Sequence, residues 1–323
     1  MQRIKEISMR VALKIAKKLR ARNMTMEVTP DGCTAHIVEA EGYYRVTSPH
    51  GSGPRSFAAC VSVDWLSRIA DIDQARFEVS GEKVMARVGR TKYESTTVGE
   101  PYTRDDVLPE TMAVVDVGAV KAVAKAACQD SGRPHIYGVY IGEYIEATDG
   151  HRLLRVHFGE PNPPNVLVPL HICSMLAGVE CRVAGVGLGV AVSYGDGSCD
   201  VECLSQLAAV NKFPPTAKVV DTAPYTHTIV GAEWRAALAA HSGVISISCA
   251  DGITTISEDL PTGNISTEID CDWPEEITLQ AAYLRDALDL LAAADGEVHA
   301  RIDRTKLQLH ASGSLAVIMG MKI

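Results

Sequence analysis

The stretch 145–158 reads IEATDGHRLLRVHF and sets Asp149, His151, Arg152 and Arg155 among apolar residues. Asp149 and His151 lie two apart, so an extended segment would place them on one face, the spacing of a general acid–base pair. The same side chains could ligate a metal or form the rim of a binding pocket. The chain lacks the usual companions of catalysis: a Gly-rich phosphate loop, a nucleophile elbow, or His, Cys and Asp at metal-ligand spacing. The Gly-rich run 185–189, GVGLG, opens no helix and is expected to be a hairpin turn. The nine Cys residues contain no CxxC, and the closest pair is Cys199 and Cys203. That is the usage of reduced, mostly buried thiols. A zinc site would need a second close pair, so neither metal nor cofactor is expected.

The elements that hold this stretch follow from the bulk of the chain. Its 323 residues predict two or three domains. With 46% hydrophobic and 22% charged residues it reads as a soluble protein. No run approaches the roughly 18–20 apolar residues of a membrane span. Lys and Arg interrupt the N-terminal segment throughout, so no signal peptide is expected and the cytoplasm is the expected location.

Three stretches repeat one plan: a short β-rich run, a short amphipathic helix, then alternating strands broken by Gly turns. The helices carry Trp65, Leu66 and Ile69, then Ile172, Met175 and Leu176, then Leu284, Leu288 and Leu291. The turns include Ser80-Gly81, the run 195–197 and Ser312-Gly313. Leu66, Ile172 and Leu284 stand roughly 110 residues apart, the scale of a domain. A second helix precedes each block, over 6–20, 117–127 and 231–241, so each repeat reads helix, hairpin strands, helix, strands. In the first helix Ile7, Val11, Ile15 and Leu19 form the predicted apolar stripe. Boundaries near Pro109 and Pro224 give predicted domains 1–109, 110–222 and 223–323.

The net charge of -9 argues against a polyanion partner, but its distribution is uneven. Residues 1–22 carry Arg3, Lys5, Arg10, Lys14, Lys17, Lys18, Arg20 and Arg22 against the single acid Glu6. Phosphate contacts are local, so one basic face on an acidic protein suffices. Lys121 and Lys125 mark the leading helix of the second repeat, and Arg235 that of the third, where it is expected to be exposed. Basic bias in all three points to one common anionic ligand.

These residues resemble a family. ATDGHRL (Ala147 to Leu153) is similar to the signature turn of the bacterial sliding clamp, the beta subunit of DNA polymerase III. The terminal AVIMGMKI, NKFPPTAKVV (Asn211 to Val220), EKVMARVGRTKYESTTV and LQAAYLRDALDLL resemble further family elements in the family's order. Together they span residues 57 to 323, and a phage or divergent member is the implied type. The resemblance implies an α+β fold of three clamp domains, each with two helices inside and antiparallel sheets outside. Two chains would close head to tail into a ring around double-stranded DNA, without reading its sequence. The implied function is non-catalytic: a processivity factor that tethers the replicative polymerase.

The resemblance also assigns residues. Lys14, Lys17, Lys18, Arg20, Arg22, Lys121, Lys125, Arg133 and Arg235 would face the DNA. A groove for short peptides of polymerase and clamp loader would take His135, Ile136, Thr148, Gly150, His151, Arg152 and Leu153 from the second repeat. Pro214, Lys218 and Val219 would join them, with Val317, Met319, Gly320, Met321, Lys322 and Ile323 from the C-terminus. His151 and Arg152 would donate hydrogen bonds to peptide carbonyls, and Gly150 would let the backbone approach. Of Met319 and Met321, one is expected in the third domain's core. The family's Pro, Arg and Leu are Gly320, Lys322 and Ile323 here, and Gly320 is expected to loosen the tail. Residues 91–97 and 264–270 are the strands expected to pair across the ring interface. The alternatives are a clamp-like decoy of host replication partners and a hydrolase using Asp149 and His151.

Overall fold

The computed structural model describes residues 8–28, 33–39, 42–48, 56–69, 72, 75–103, 108–187, 189–195, 199–205, 213–291, 296–303 and 305–321. One order of elements recurs three times. The first runs α1 (Ser8–Lys18), β1 (Asn23–Val28), β2 (Cys33–Glu39), β3 (Gly42–Ser48), β4 (Phe57–Ser62), α2 (Val63–Ser67), β5 (Arg76–Ser80), β6 (Lys83–Val88) and β7 (Thr91–Thr96). The second opens with β8 (Ala113–Asp116) and α3 (Val117–Ala124). It continues through β9 (Gly138–Ile141), β10 (Tyr144–Thr148), β11 (Arg152–His157), β12 (Val166–Pro169) and α4 (Leu170–Cys173) to β13 (Glu180–Val186), β14 (Gly189–Gly195) and β15 (Asp200–Ser205). The third opens with β16 (His227–Val230) and α5 (Gly231–Ala237). Then come β17 (Val244–Ala250), β18 (Ile253–Leu260), β19 (Gly263–Asp270), β20 (Ile277–Gln280), α6 (Ala281–Leu291), β21 (Glu297–Asp303), β22 (Lys306–Ala311) and β23 (Ser314–Met319). The place that β8 and β16 take falls, in the first repeat, outside the described residues.

The mixed fold matches the expected class, with every strand pair among the described residues antiparallel. The GVGLG run lies where expected, between β13 and β14, with Val186 opposite Gly189. Details of the helices differ. The buried stripe of α1 is Met9, Ala12, Leu13 and Ala16 beside Ile15, while Val11 and Leu19 are half-buried. The buried face is thus shifted from the expected stripe, because the small apolar Ala12 and Ala16 take part in it. Ile7 lies outside the described residues. α3 stops at Ala124, so Lys125 follows the helix rather than lying in it. α5 tightens into a 3-10 turn at Leu238–Ala240.

The chain divides into two compact units, residues 1–117 with 175–209 and residues 118–174 with 210–323. The first holds a sheet in the order β4-β1-β2-β3-β15-β14-β13-β8 and a small sheet β5-β6-β7. The second holds β12-β9-β10-β11-β23-β22-β21-β16 and β19-β18-β17-β20. Each large sheet is thus two half-sheets joined by one rule. The third strand of a repeat's first meander pairs with the last strand of the next repeat's second meander, β3 with β15 and β11 with β23. The joins are buried: Tyr44 stands opposite Cys203 and Leu154 opposite Ala316, all of them inaccessible. On the other face of the first join, Arg45 Nε donates to Glu202 Oε2 at 2.6 Å. The two strands that the rule leaves over are β7 and β19, and each is the terminal strand of its sheet.

Candidate functional site

The opening stretch is a hairpin, β10 and β11, closed by the turn at Thr148–Arg152. The turn is built from its own polar side chains. Thr148 Oγ1 donates to Arg152 O at 2.6 Å and accepts from Gly150 N–H at 3.0 Å. Asp149 Oδ1 accepts the backbone N–H groups of His151 and Arg152 at 2.9 and 3.1 Å, an Asx turn. Gly150 adopts φ 93°, and a Cβ there would meet Arg133 Nη2 at 3.1 Å, so both conformation and space call for glycine. Arg133 Nη1 donates to Asp149 O at 3.0 Å.

Arg152 is held by three acceptors within the chain. Its Nε donates to Asp149 Oδ2 at 3.1 Å, Nη1 to Asp286 Oδ2 at 2.6 Å and Nη2 to Lys125 O at 2.5 Å. The guanidinium also lies over the Tyr283 ring, 4.2 Å from its centroid. Burial, followed by the nearby Asp149 carboxylate, pushes the Tyr283 phenol above its ordinary pKa. Within the chain these three bonds and the ring pin the turn to α6, and they use three of the five N–H donors of the planar fork. Asp149 is likewise spent on the turn, and no hydrogen bond among the described residues joins it to the His151 ring. The acid–base reading loses its geometry.

Arg155, the second arginine of the stretch, is buried and structural. It donates to Glu146 Oε2 at 2.9 Å and to Thr216 Oγ1 at 2.6 Å, and Thr216 itself donates to Glu146 at 2.8 Å. This triad fixes the 3-10 turn Thr216–Lys218 on the hairpin, and so carries Val219 to the cleft. A buried pair of this kind is valuable for position more than for net stability.

The cleft beside the turn is open to solvent and lined by Thr148, Gly150, His151, Arg152, Leu153, Val219, Val317 and Met319. Its floor is the cluster Leu153, Leu315 and Val317, against which Val220 packs. Eight of the expected groove residues are thus brought together. Ile136 is buried away in the core, 2% exposed, and does not line it. His135 and Lys218 are exposed and Pro214 is half-buried, none of them on the cleft wall. Lys322 and Ile323 lie outside the described residues. Neither methionine completes the core: Met319 is 39% and Met321 42% exposed.

The tail is tied by its backbone. Met319 N–H donates to His151 O at 2.9 Å, Gly320 N–H to Thr305 O at 2.7 Å and Met321 N–H to Thr278 O at 2.8 Å. The expectation that Gly320 loosens the tail is corrected, since this residue supplies an N–H that proline lacks. Sequence reasoning missed Asp286, Tyr283, Thr305 and Thr278. Asp286 stands 134 residues from Arg152, and no local pattern signals so distant a partner.

The predicted DNA-facing cations divide into two kinds. Lys14, Lys17, Lys18, Arg20, Arg22, Lys121 and Arg133 are exposed. Lys125 Nζ donates to Asp289 Oδ2 at 3.0 Å and lies 3.6 Å from Asp286 Oδ1. Arg235 is half-buried rather than exposed, with its Nε buried and unbonded. It follows the buried Trp234, whose ring packs 4.5 Å from Trp273, and the tight seating of this helix covers its neighbour.

No family model matches the chain, and no curated protein matches it in sequence. Solved structures do match in fold. The DNA polymerase III beta subunit of Thermotoga maritima superposes with a TM-score of 0.76 at 16% identity, covering 99% of this chain and 98% of that one. The Helicobacter pylori beta clamp, bound to a DNA ligase peptide, gives 0.79 at 13% identity, covering 99% of each chain. The sliding clamp of Pseudomonas aeruginosa, a DNA polymerase III subunit beta bound to griselimycin, gives 0.78 at 16% identity, covering 99% and 97%. The chain has the sliding-clamp fold. No helix among the described residues is long and apolar enough to cross a membrane.

Proposed function

We propose that this chain is a DNA sliding clamp, with clamp domains 1–109, 110–222 and 223–323, that closes head to tail with a second copy around duplex DNA. The carrying observation is the pairing rule. Two joins are made within the chain, and the third needs β19 of one copy against β7 of another. The register follows from faces and charges. Tyr93 and Ser95 on β7, and Ile265 and Thr267 on β19, are the half-buried residues and belong on one side. Tyr93 opposite Thr267 puts Lys92 opposite Glu268 and Arg90 opposite Asp270. That reproduces across copies the Arg45–Glu202 pairing of the first join. In the single chain Lys92 is bonded to Glu94, and the partner strand would share it.

Exposed cations on α1 supply sequence-independent phosphate contact, and closure of the ring supplies retention. The cleft at the Thr148–Arg152 turn takes a short peptide of a polymerase or clamp loader. Its apolar floor seats anchor side chains, the exposed Met319 and Met321 adapt to them, and His151 with backbone groups holds the peptide main chain. The clamp structures bound to a DNA ligase peptide and to griselimycin support a ligand site on this fold. No catalytic step is assigned.

The test is retention. Light scattering at micromolar concentration should give twice the chain mass. Protein loaded on nicked circular DNA should stay through gel filtration and be lost once the DNA is linearised. A monomer that binds peptide and is not retained on circles would sink the ring and leave a partner-occupying decoy.

A further inference from the structure

Alternate residues of β22 hold the segment that crosses above it. Lys306, Gln308 and His310 are two apart along the strand, so they project from one face of the sheet. Lys306 Nζ donates to Val219 O at 3.3 Å. Gln308 Oε1 accepts the Asp221 N–H at 2.8 Å, and its Nε2 donates to Asp221 O at 2.9 Å and to Tyr225 Oη at 3.0 Å. His310 stacks on the Tyr225 ring at 5.4 Å. From β21, Arg301 stands opposite Gln308 and pairs with Asp221 Oδ2 at 2.9 Å.

Gln308 is the centre of this grip. It is 1% exposed, and a buried amide is unfavourable unless bonded. Its side-chain bonds among the described residues go to Asp221 and Tyr225. The two bonds to Asp221 copy those of a strand pair, with one donor and one acceptor on each side. An apolar residue could make neither. A carboxylate would meet the Asp221 carbonyl with no proton to give.

The grip matters for the cleft because of where it falls. The other end of the segment is fixed at Thr216 by Glu146 and Arg155. Only residues 217–220 run between the two fastenings, and they include Val219 on the cleft wall and Val220 against its floor. The facing wall belongs to the strand beside β22: Val317 stands opposite Gln308 and Met319 opposite Lys306. Val219 is itself 41% exposed, so its own packing holds it weakly and the fastened ends decide where it stands.

We infer that Gln308 is a positioning residue that sets the separation of Val219 from Val317 and Met319, and with it the size of the apolar side chain the cleft accepts. The ligand is a short peptide with a bulky apolar anchor. This deepens, and rests on, the peptide-cleft reading above.

The experiment uses the full-length protein and a labelled peptide selected from a random library on the parent, followed by anisotropy. The same peptide with its main apolar anchor cut to Ala is the second probe. Gln308→Met keeps the length of the side chain and removes its three bonds. It should weaken binding of the selected peptide roughly tenfold and of the Ala-anchor peptide less than about twofold. The mass in light scattering should stay the parent's. In a Val219→Ala background the same substitution should change little, because residues that act through one contact are not additive. Arg301→Gln loosens the same fastening and should show the same coupling with a smaller loss, which keeps the test open if Gln308→Met does not fold.

Equal losses for the two peptides, or a lower Tm with the parent's affinity, overturns the inference. So does a loss that persists in full in the Val219→Ala background. If Val219→Ala weakens the selected peptide while Gln308→Met and Arg301→Gln do not, the Gln308 role fails and the cleft reading stands. If neither Val219→Ala nor Met319→Ala alters binding, the peptide does not sit in the cleft and both fail.

Discussion

In α1 the cations Lys14 and Lys17 stand exposed on a helix with no acid, whereas at the Thr148–Arg152 turn every nearby charge has an answer. Arg152 is held by Asp149 and Asp286, and Lys125 by Asp286 and Asp289. The two regions are similarly rich in charge along the chain. One leaves it exposed, and the other consumes it to fix a shape, so that the cleft beside it is edged by a turn held through its own bonds. Composition alone does not separate these uses; pairing in space does.

The comparison predicts opposite responses to substitution. Reversing Lys14, Lys17 and Lys18 together to Glu should weaken duplex binding on the order of 100-fold at low salt, since three phosphate contacts become repulsions. Its melting temperature should stay near the parent's, because exposed charges contribute little to stability. Unchanged binding in this variant would remove α1 from the duplex path.

Arg152→Ala should do the reverse. It leaves Asp149 and Asp286 without their shared cation and frees the turn, and is expected to cost about 2 kcal/mol in chemical denaturation. Duplex affinity should hold, while affinity for a clamp-binding peptide falls with the loosened cleft. If stability is unaffected and only peptide binding falls, the arginine acts on the ligand directly, and the contrast between the two regions is wrong.

A third outcome concerns charge between copies. Lys92→Glu should weaken the dimer roughly fivefold by placing a carboxylate opposite Glu268, and adding Glu268→Lys should restore it. Sedimentation equilibrium reads both. Failure of the double variant to recover would displace the proposed register.

The smallest effect concerns a histidine away from both regions. His310, stacked on Tyr225 at 5.4 Å, has its pKa lowered from 6.5, first by burial and then by His299 across the strand pair. The unfolded chain therefore takes up that proton first. The stability concerned is complete above about pH 6.5 and is lost as pH falls through that value toward the lower folded pKa. His310→Gln should reduce the acid-side loss of Tm by on the order of 1 °C. His310 lies on β22 and not on α1, so duplex binding by the same variant should be unaltered.

Much of this was legible along the chain. Hydrophobic periodicity of two and near 3.6 marks the strands and helices, and the recurrence of one order every hundred residues or so marks the repeat. Thr148, Asp149 and Gly150 also announce their turn, because an Asx turn and a positive φ are satisfied by residues within three positions. The edge strands β7 and β19 show their alternation locally.

The tertiary structure alone decided who meets whom. That Arg152 ties its turn to α6 is seen only once Asp286, 134 residues on, is found on it. Gly320 reads as slack until its N–H is found on Thr305, and Arg235 as exposed until its helix is seated beside the Trp234–Trp273 pair. Sequence by itself determined which elements form and in what order, because dihedral preference and side-chain period act over a few residues. Which cations are neutralised, which edges remain unpaired and which tail residues line the cleft depend on contacts over a hundred residues apart. Such contacts arise only when the sheets join, and no local spacing carries them.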